Sequence, residues 1–201
     1  MAEAVYLDQD LPVGGRKRNS VGWWGMLCLI ATESSLFAYL LFSYAYFAVR
    51  FGPHWLPVAH PSLRLSGPDT VILLSSSVVI WWAEQGAKRG RRVQHLVGVA
   101  VTMALGMVFL AIQAFEWKSK TFTLTSGSYG SLYFTITGLH MAHVVVGLII
   151  LAVVFAWSAA GEFTPRRHTP VLISSTYWHF VDVVWVVVFT ALYLTPYLVT
   201  P

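Results

Sequence analysis

The chain has 201 residues, of which 56% are hydrophobic and only 11% charged, and its mean hydropathy is +0.63. A soluble domain carries about 25% charged residues, so an ordinary soluble enzyme or binding module is excluded and an integral membrane protein is expected. The formal charge of +4 sits in short basic clusters between apolar runs, which fits membrane orientation rather than a nucleic-acid surface.

Residues 1–20 are polar and end in Arg16, Lys17 and Arg18; they read as a cytoplasmic tail. The apolar run after them exceeds the roughly 7 to 15 residues of a signal peptide, and reads as an uncleaved first span over about 21–49. A helix needs about 20 residues to cross a bilayer. Four further runs are long enough, at about 68–88, 93–117, 130–158 and 169–197. Pro68 fits the first turn of the second helix, and Asp69 beside it is expected to help that helix start. The fifth run follows Pro165 and begins around Pro170. An open sheet edge cannot sit in lipid, and the runs lack the alternation of a barrel. The expected fold is therefore an all-α integral membrane protein, a bundle of five transmembrane helices occupying residues 21–201. The longest connection, about 50–67, holds Pro53, Pro57 and Pro61 and is expected on the outer surface. Cys28 is the only cysteine, so neither an internal disulfide nor a thiolate metal cluster can form.

The basic residues orient the bundle. Arg16, Lys17, Arg18, Lys88, Arg89, Arg91, Arg92, Arg166 and Arg167 fall on one side of five spans, and Arg50, Arg64, Lys118 and Lys120 on the other. Cytoplasmic loops carry the excess of Lys and Arg, so the amino terminus is expected inside and the carboxyl terminus outside.

Five ionisable residues lie within the apolar runs: Glu33, His140, His143, His179 and Asp182. A charged Asp at a helix centre costs about 2.5 to 3.5 kcal/mol on insertion scales. At about 1.5 Å per residue, Glu33 lies roughly 18 Å from the inner end of its span, His179 about 15 Å, Asp182 about 20 Å, His143 about 22 Å and His140 about 27 Å. Most therefore share a depth on three helices, and they are expected to neutralise one another inside the bundle. His140 and His143 are three residues apart on one helix face, as are His179 and Asp182, and Trp178, Asp182 and Trp185 form a stripe. Such groups build either a metal site, a proton relay or a polar network that fixes helix packing. Zinc and haem sites need further ligands, and a di-iron site needs several Glu and paired Glu-x-x-His motifs. No continuous polar chain to either surface is legible, so the packing network is the reading adopted.

The remaining carboxylates read as helix-end pairs, Glu84 with Lys88 and Glu116 with Lys120, each four residues apart. Gln113 lies about one turn deeper than Glu116. Ser75, Ser76, Ser77, Gly138 and Gly147 are small residues that permit close helix approach. The chain has no Walker loop, dinucleotide fingerprint, H-E-x-x-H or G-x-S-x-G motif, and so no stand-alone catalytic constellation.

Three segments carry a family resemblance: "GWWGMLCLIATESSLFAYLLFSYAYF", "AIQAFEWKSKTFTLTSGSYGSLYFTITGLHMAHVVVG" and "YWHFVDVVW". Together they resemble subunit III of the haem–copper oxidases, most closely the cytochrome c oxidase subunit III family, from about residue 21 to 195. The resemblance implies a non-catalytic subunit with no cofactor of its own, the haem and copper belonging to subunits I and II. It implies packing on subunit I, contact with subunit II and with further small membrane subunits, and bound structural phospholipid. It also implies support of proton uptake and stable turnover during proton-translocating aerobic respiration. Five spans and a bare amino terminus favour a bacterial cytoplasmic (inner) membrane. Glu33 matches the family's "SE" segment, and Gln113 and Glu116 its Q-x-x-E. The family's next motif falls on Tyr129, Gly130, Ser131, Thr137, Gly138, His140 and His143, and its last on Tyr177, Trp178, His179, Phe180, Asp182 and Trp185. Longer members have seven helices; the resemblance here is to the five-helix form, in which the lipid-filled cleft is expected to be missing or completed by another chain. Two further readings stay open: the accessory subunit of a quinol oxidase or nitric oxide reductase, and a small proton-conducting transporter built on Glu33, His143, His179 and Asp182.

Overall fold

A computed structural model describes residues 21–55, 63–161 and 169–196. The amino-terminal basic cluster, Pro57, Pro61, Pro165, Arg166 and Arg167 lie outside the described residues. Five long helices follow one another: α1 Val21–Phe51, α2 Leu63–Lys88, α3 Arg92–Ser119, α4 Ser128–Ala160 and α5 Thr169–Phe189. A wide turn, Thr190–Leu194, continues α5. All five are long and apolar enough to span a membrane, and the described residues contain no strand. The expected all-α, five-span architecture is present.

One helix start and one helix end differ from expectation. α2 begins at Leu63, so Pro68 sits inside the helix and not in its first turn. There it removes one main-chain bond, to the Arg64 carbonyl, near an end where few such bonds exist. Asp69 consequently starts nothing: it is fully buried, a turn and a half into the helix. At the other end of the chain the regular α-helix stops at Phe189, and the wide turn after it buries Leu192 and Tyr193.

The helices differ greatly in burial. α5 lies at the centre and contacts α1, α2 and α4. Trp178, Val181, Trp185 and Val188 on its inner face are all buried to within 1%. α1 is peripheral; only Phe37 and Tyr44 among its 31 residues are buried. Three of its hydroxyls bond within the helix. Thr32, Ser35 and Ser43 bond to the carbonyls of Leu29, Ala31 and Tyr39 one turn back, the arrangement that lets a hydroxyl face hydrocarbon. Cys28 is on this exposed helix too.

α2 and α3 form the most extensive pairing. A Cβ on Gly98 would lie 2.6 Å from that of Ala83, so the two backbones are as close as the absence of a side chain allows. Their connection is a tight turn in which Arg91 N–H donates to the Gly86 carbonyl at 2.8 Å. Gly90 sits at φ 70° within it, a conformation open to glycine at no steric cost.

Candidate functional site

α2 and α5 run antiparallel, and a ladder of side-chain bonds joins them. Trp185 Nε1 donates to Thr70 Oγ1 at 3.0 Å, and Trp178 Nε1 donates to Ser76 Oγ at 2.9 Å. Ser175 Oγ donates to Glu84 Oε2 at 2.8 Å. Between these rungs, Ser77 on α2 bridges His179 and Asp182 on α5. Its hydroxyl donates to Asp182 Oδ2 and lies 3.0 Å from His179 Nδ1. Because that hydroxyl proton is committed to Asp182, the oxygen accepts from His179, which places the ring proton on Nδ1. The expected His179–Asp182 association is thus real but indirect. Two residues one turn apart on a helix meet through a serine of the neighbouring helix. The spacing rule alone gives the shared face and not the bridge.

Ser76 and Ser77 are accordingly bonding partners as much as spacers. Ser75 is exposed, and its hydroxyl donates to the Ile72 carbonyl. Gly147 does serve helix packing. A Cβ there would stand 3.0 Å from the Trp178 ring, and one on Gly106 of α3 would stand 2.7 Å from the same ring. Trp178 is therefore held by three helices at once.

Glu33 and His143 form a second group, across α1 and α4. Glu33 Oε2 lies 3.0 Å from His143 Nε2, and His143 Nδ1 lies 2.7 Å from the Leu139 carbonyl. A carbonyl only accepts, so Nδ1 carries a proton. The contact at Nε2 then requires one more, held by the ring or by the carboxyl. In either form the pair is neutral overall and holds one transferable proton. It is less enclosed than the Ser77 group: the Glu33 side chain is 27% exposed and that of His143 12%.

His140 joins neither group, contrary to the expectation of one mid-bilayer cluster. Its ring is fully buried, and neither nitrogen has a hydrogen-bond partner. It lies 4.8 Å from the Trp185 ring, with the Phe109 and Phe37 rings edge-on at 5.8 and 6.5 Å. Three residues are about 60° short of a full helical turn. His143 is thus turned toward Glu33 on α1 while His140 faces the aromatic interior. The five intramembrane ionisable residues form two separate groups and one isolated ring.

A third group involves carboxylates whose spacing predicts only helix-end pairs. Glu116 Oε1 accepts from Lys120 Nζ at 2.7 Å, but Glu116 is 1% exposed, which is unlike a surface pair. Tyr133 OH lies 3.5 Å from the same oxygen and 2.7 Å from Tyr193 OH. Gln113 Nε2 donates to Asp69 Oδ2 at 2.7 Å. Glu84 likewise is buried while Lys88 beside it reaches outward, the side chains being 10% and 37% exposed. The sequence signal for this depth was the i, i+3 spacing of Gln113 and Glu116 on an otherwise apolar face.

The Tyr-Gly-Ser motif has a local role. Ser131 Oγ donates to the Leu124 carbonyl at 2.7 Å, and a Cβ on Gly130 would collide with the Thr123 carbonyl at 2.3 Å. Tyr129 packs among Trp55, Phe122 and Tyr44. Together the three pin the α3–α4 connection onto the start of α4. Gly138 admits the Trp117 ring at 3.0 Å, and Trp117 Nε1 donates to Thr137 Oγ1 at 3.2 Å. Tyr177 is buried at the α4–α5 contact, its hydroxyl 3.5 Å from the His143 carbonyl. Among the described residues, no three His, Cys, Asp or Glu side chains converge as a metal cage.

The family model described as cytochrome c oxidase subunit III matches residues 17–197. The chain belongs to the cytochrome c oxidase subunit III family. It is 35% identical over 177 residues to cytochrome c oxidase subunit 3 of Lemur catta, covering 85% of this chain and 65% of that relative. It is 34% identical over 178 residues to that of Branchiostoma lanceolatum, covering 84% and 67%. For Ornithorhynchus anatinus the identity is 35% over 179 residues, covering 85% and 68%. The chain thus spans about two thirds of the length of these subunit III relatives. The subunit III match includes every rung of the α2–α5 ladder and both members of the Glu33–His143 pair.

Proposed function

We propose that the chain is a non-catalytic membrane subunit of a proton-pumping cytochrome c oxidase. In this reading it packs on the haem-bearing subunit I, touches subunit II, carries structural phospholipid, and sustains proton uptake and durable turnover. Family membership supports the reading, and one structural observation carries it further. The Glu33–His143 pair is partly exposed on the most peripheral helix, on a face whose neighbours Leu29 and Leu36 are apolar and exposed. A carboxyl and an imidazole open to hydrocarbon are costly. A partner subunit covering α1 would shield the pair and give its proton somewhere to go. The charge count supports an amino terminus on the side from which protons are taken up. A bacterial cytoplasmic membrane is our proposed location; the relatives named above come from animals, and fractionation of the native source tests this point.

The test is purification of the complex through a tag on this chain. Copurification of haem-bearing chains, with turnover that falls when this chain is stripped, is the expected outcome. Stoichiometric copper or iron in the isolated chain would reject the non-catalytic assignment. A haem-bearing partner that oxidises only quinol would replace cytochrome c as donor. The Glu33–His143 pair also motivates a proton-conducting transporter, and proton flux through the chain alone in vesicles, abolished by Glu33→Gln, would favour that reading.

A further inference from the structure

The Asp69–Gln113–Glu116 group is out of balance in two independent ways. Its side chains are 0%, 0% and 1% exposed, so water outside the bundle does not solvate them. Yet one oxygen on each, Asp69 Oδ1, Gln113 Oε1 and Glu116 Oε2, has no hydrogen-bond partner. With both carboxyls ionised, all three oxygens are acceptors and cannot satisfy one another. The donors nearby are committed to the other oxygens: Gln113 Nε2 to Asp69 Oδ2, and Lys120 Nζ to Glu116 Oε1. The second imbalance is charge. With both carboxyls ionised, two carboxylates face one ammonium, leaving one uncompensated negative charge in a low-dielectric interior.

The three oxygens belong to one locality. Gln113 bonds Asp69 directly, and Glu116 is the next residue on the same face of α3. We propose that Asp69 Oδ1, Gln113 Oε1 and Glu116 Oε2 hold one monovalent hard cation, of the sodium class, between the start of α2 and the end of α3. Oxygen-only donors select hard cations over copper, zinc or iron. A single positive charge brings the group to neutrality, whereas a divalent ion would leave it positive. The bound ion would tie α2 to α3 at the end opposite their tight turn, beside Lys120, which donates to Glu116 Oε1.

The purified full-length chain in detergent tests this directly. Thermal unfolding is followed by circular dichroism in sodium chloride and in choline chloride at equal ionic strength. Sodium should raise the midpoint saturably, by about 5 °C for a chain of this size, and choline should not. Asp69→Asn should keep helix content and lose the sodium dependence. Should that variant fail to fold, sodium-23 relaxation on the parent chain decides without it: excess broadening reversed by lithium or potassium is expected. Superimposable melting curves in the two salts, with no excess relaxation, would overturn the site. So would a protonated-carboxyl infrared band that disappears in Asp69→Asn without any salt dependence, since the missing charge would then be a proton.

Discussion

Gly106→Ala should be among the more disruptive single-methyl changes in this chain. The added Cβ would stand 2.7 and 3.1 Å from Cη2 and Cζ2 of Trp178, and 3.0 Å from Cδ2 of Leu148. Leu148 ends in a flexible methyl and can rotate away. Trp178 cannot yield. It is fully buried, its Nε1 is bonded to Ser76, and its Cε3 and Cζ3 already lie 3.0 Å from where a Cβ on Gly147 would be. Overpacking of this kind costs about 1 to 3 kcal/mol. Trp178→Phe removes the ring atoms that clash and loses a bond of about 0.6 kcal/mol, the average for interhelical hydrogen bonds in membranes, together with the packing of the lost ring. In the double variant the new methyl enters the vacated volume. Its cost should therefore fall short of the sum of the two single costs by at least about 1 kcal/mol, beyond the roughly 0.5 kcal/mol scatter of independent sites. Denaturant unfolding in mixed micelles, read by circular dichroism, gives all three values. Gly25→Ala, where nothing lies within 4 Å of the added Cβ, is the control. Additive costs, or a Gly106→Ala no worse than the control, would refute the clamp.

Three other outcomes follow from the same bonds. Asp182→Asn and His179→Leu should each weaken assembly of the complex by about 1 to 3 kcal/mol, by disturbing the Ser77 bridge; complexes that form in full yet lose turnover per haem would show that the bridge serves chemistry instead. His140→Leu should be neutral or mildly stabilising in a melting assay, because it removes two unpartnered nitrogens from an aromatic cage, whereas His143→Leu should cost stability by stranding Glu33. Glu33→Gln should leave the fold intact, since its amide can donate to His143 Nε2, but remove the transferable proton; slower or less durable turnover at normal assembly is the expected readout, and unchanged turnover over prolonged cycling would count against a proton role.

The reach of sequence reasoning varies along the chain in an instructive way. Every span was legible because lipid demands a long apolar helix, and that demand is written residue by residue. Pairings within one helix were equally accessible: Glu84 with Lys88 and Glu116 with Lys120 both form. Their burial was not, because depth along a span says nothing about which way a face is turned. Asp69 shows the same limit. Beside Pro68 it had the marks of a helix start, and the observed first residue, Leu63, places it a turn and a half inside, bonded to Gln113.

What the amino-acid order determined by itself was the class, the five helices, the family and the residues too polar to be left in lipid. Only the tertiary structure decided who meets whom. Ser77 bridges His179 and Asp182, Glu33 reaches His143, and His140 is left among rings. The physical reason is that insertion cost depends on the residue and its depth, whereas partnership depends on the rotation and register of one helix against another. Those are set by close contacts such as Gly106 and Gly147 on Trp178, whose partners lie dozens of residues apart in the chain.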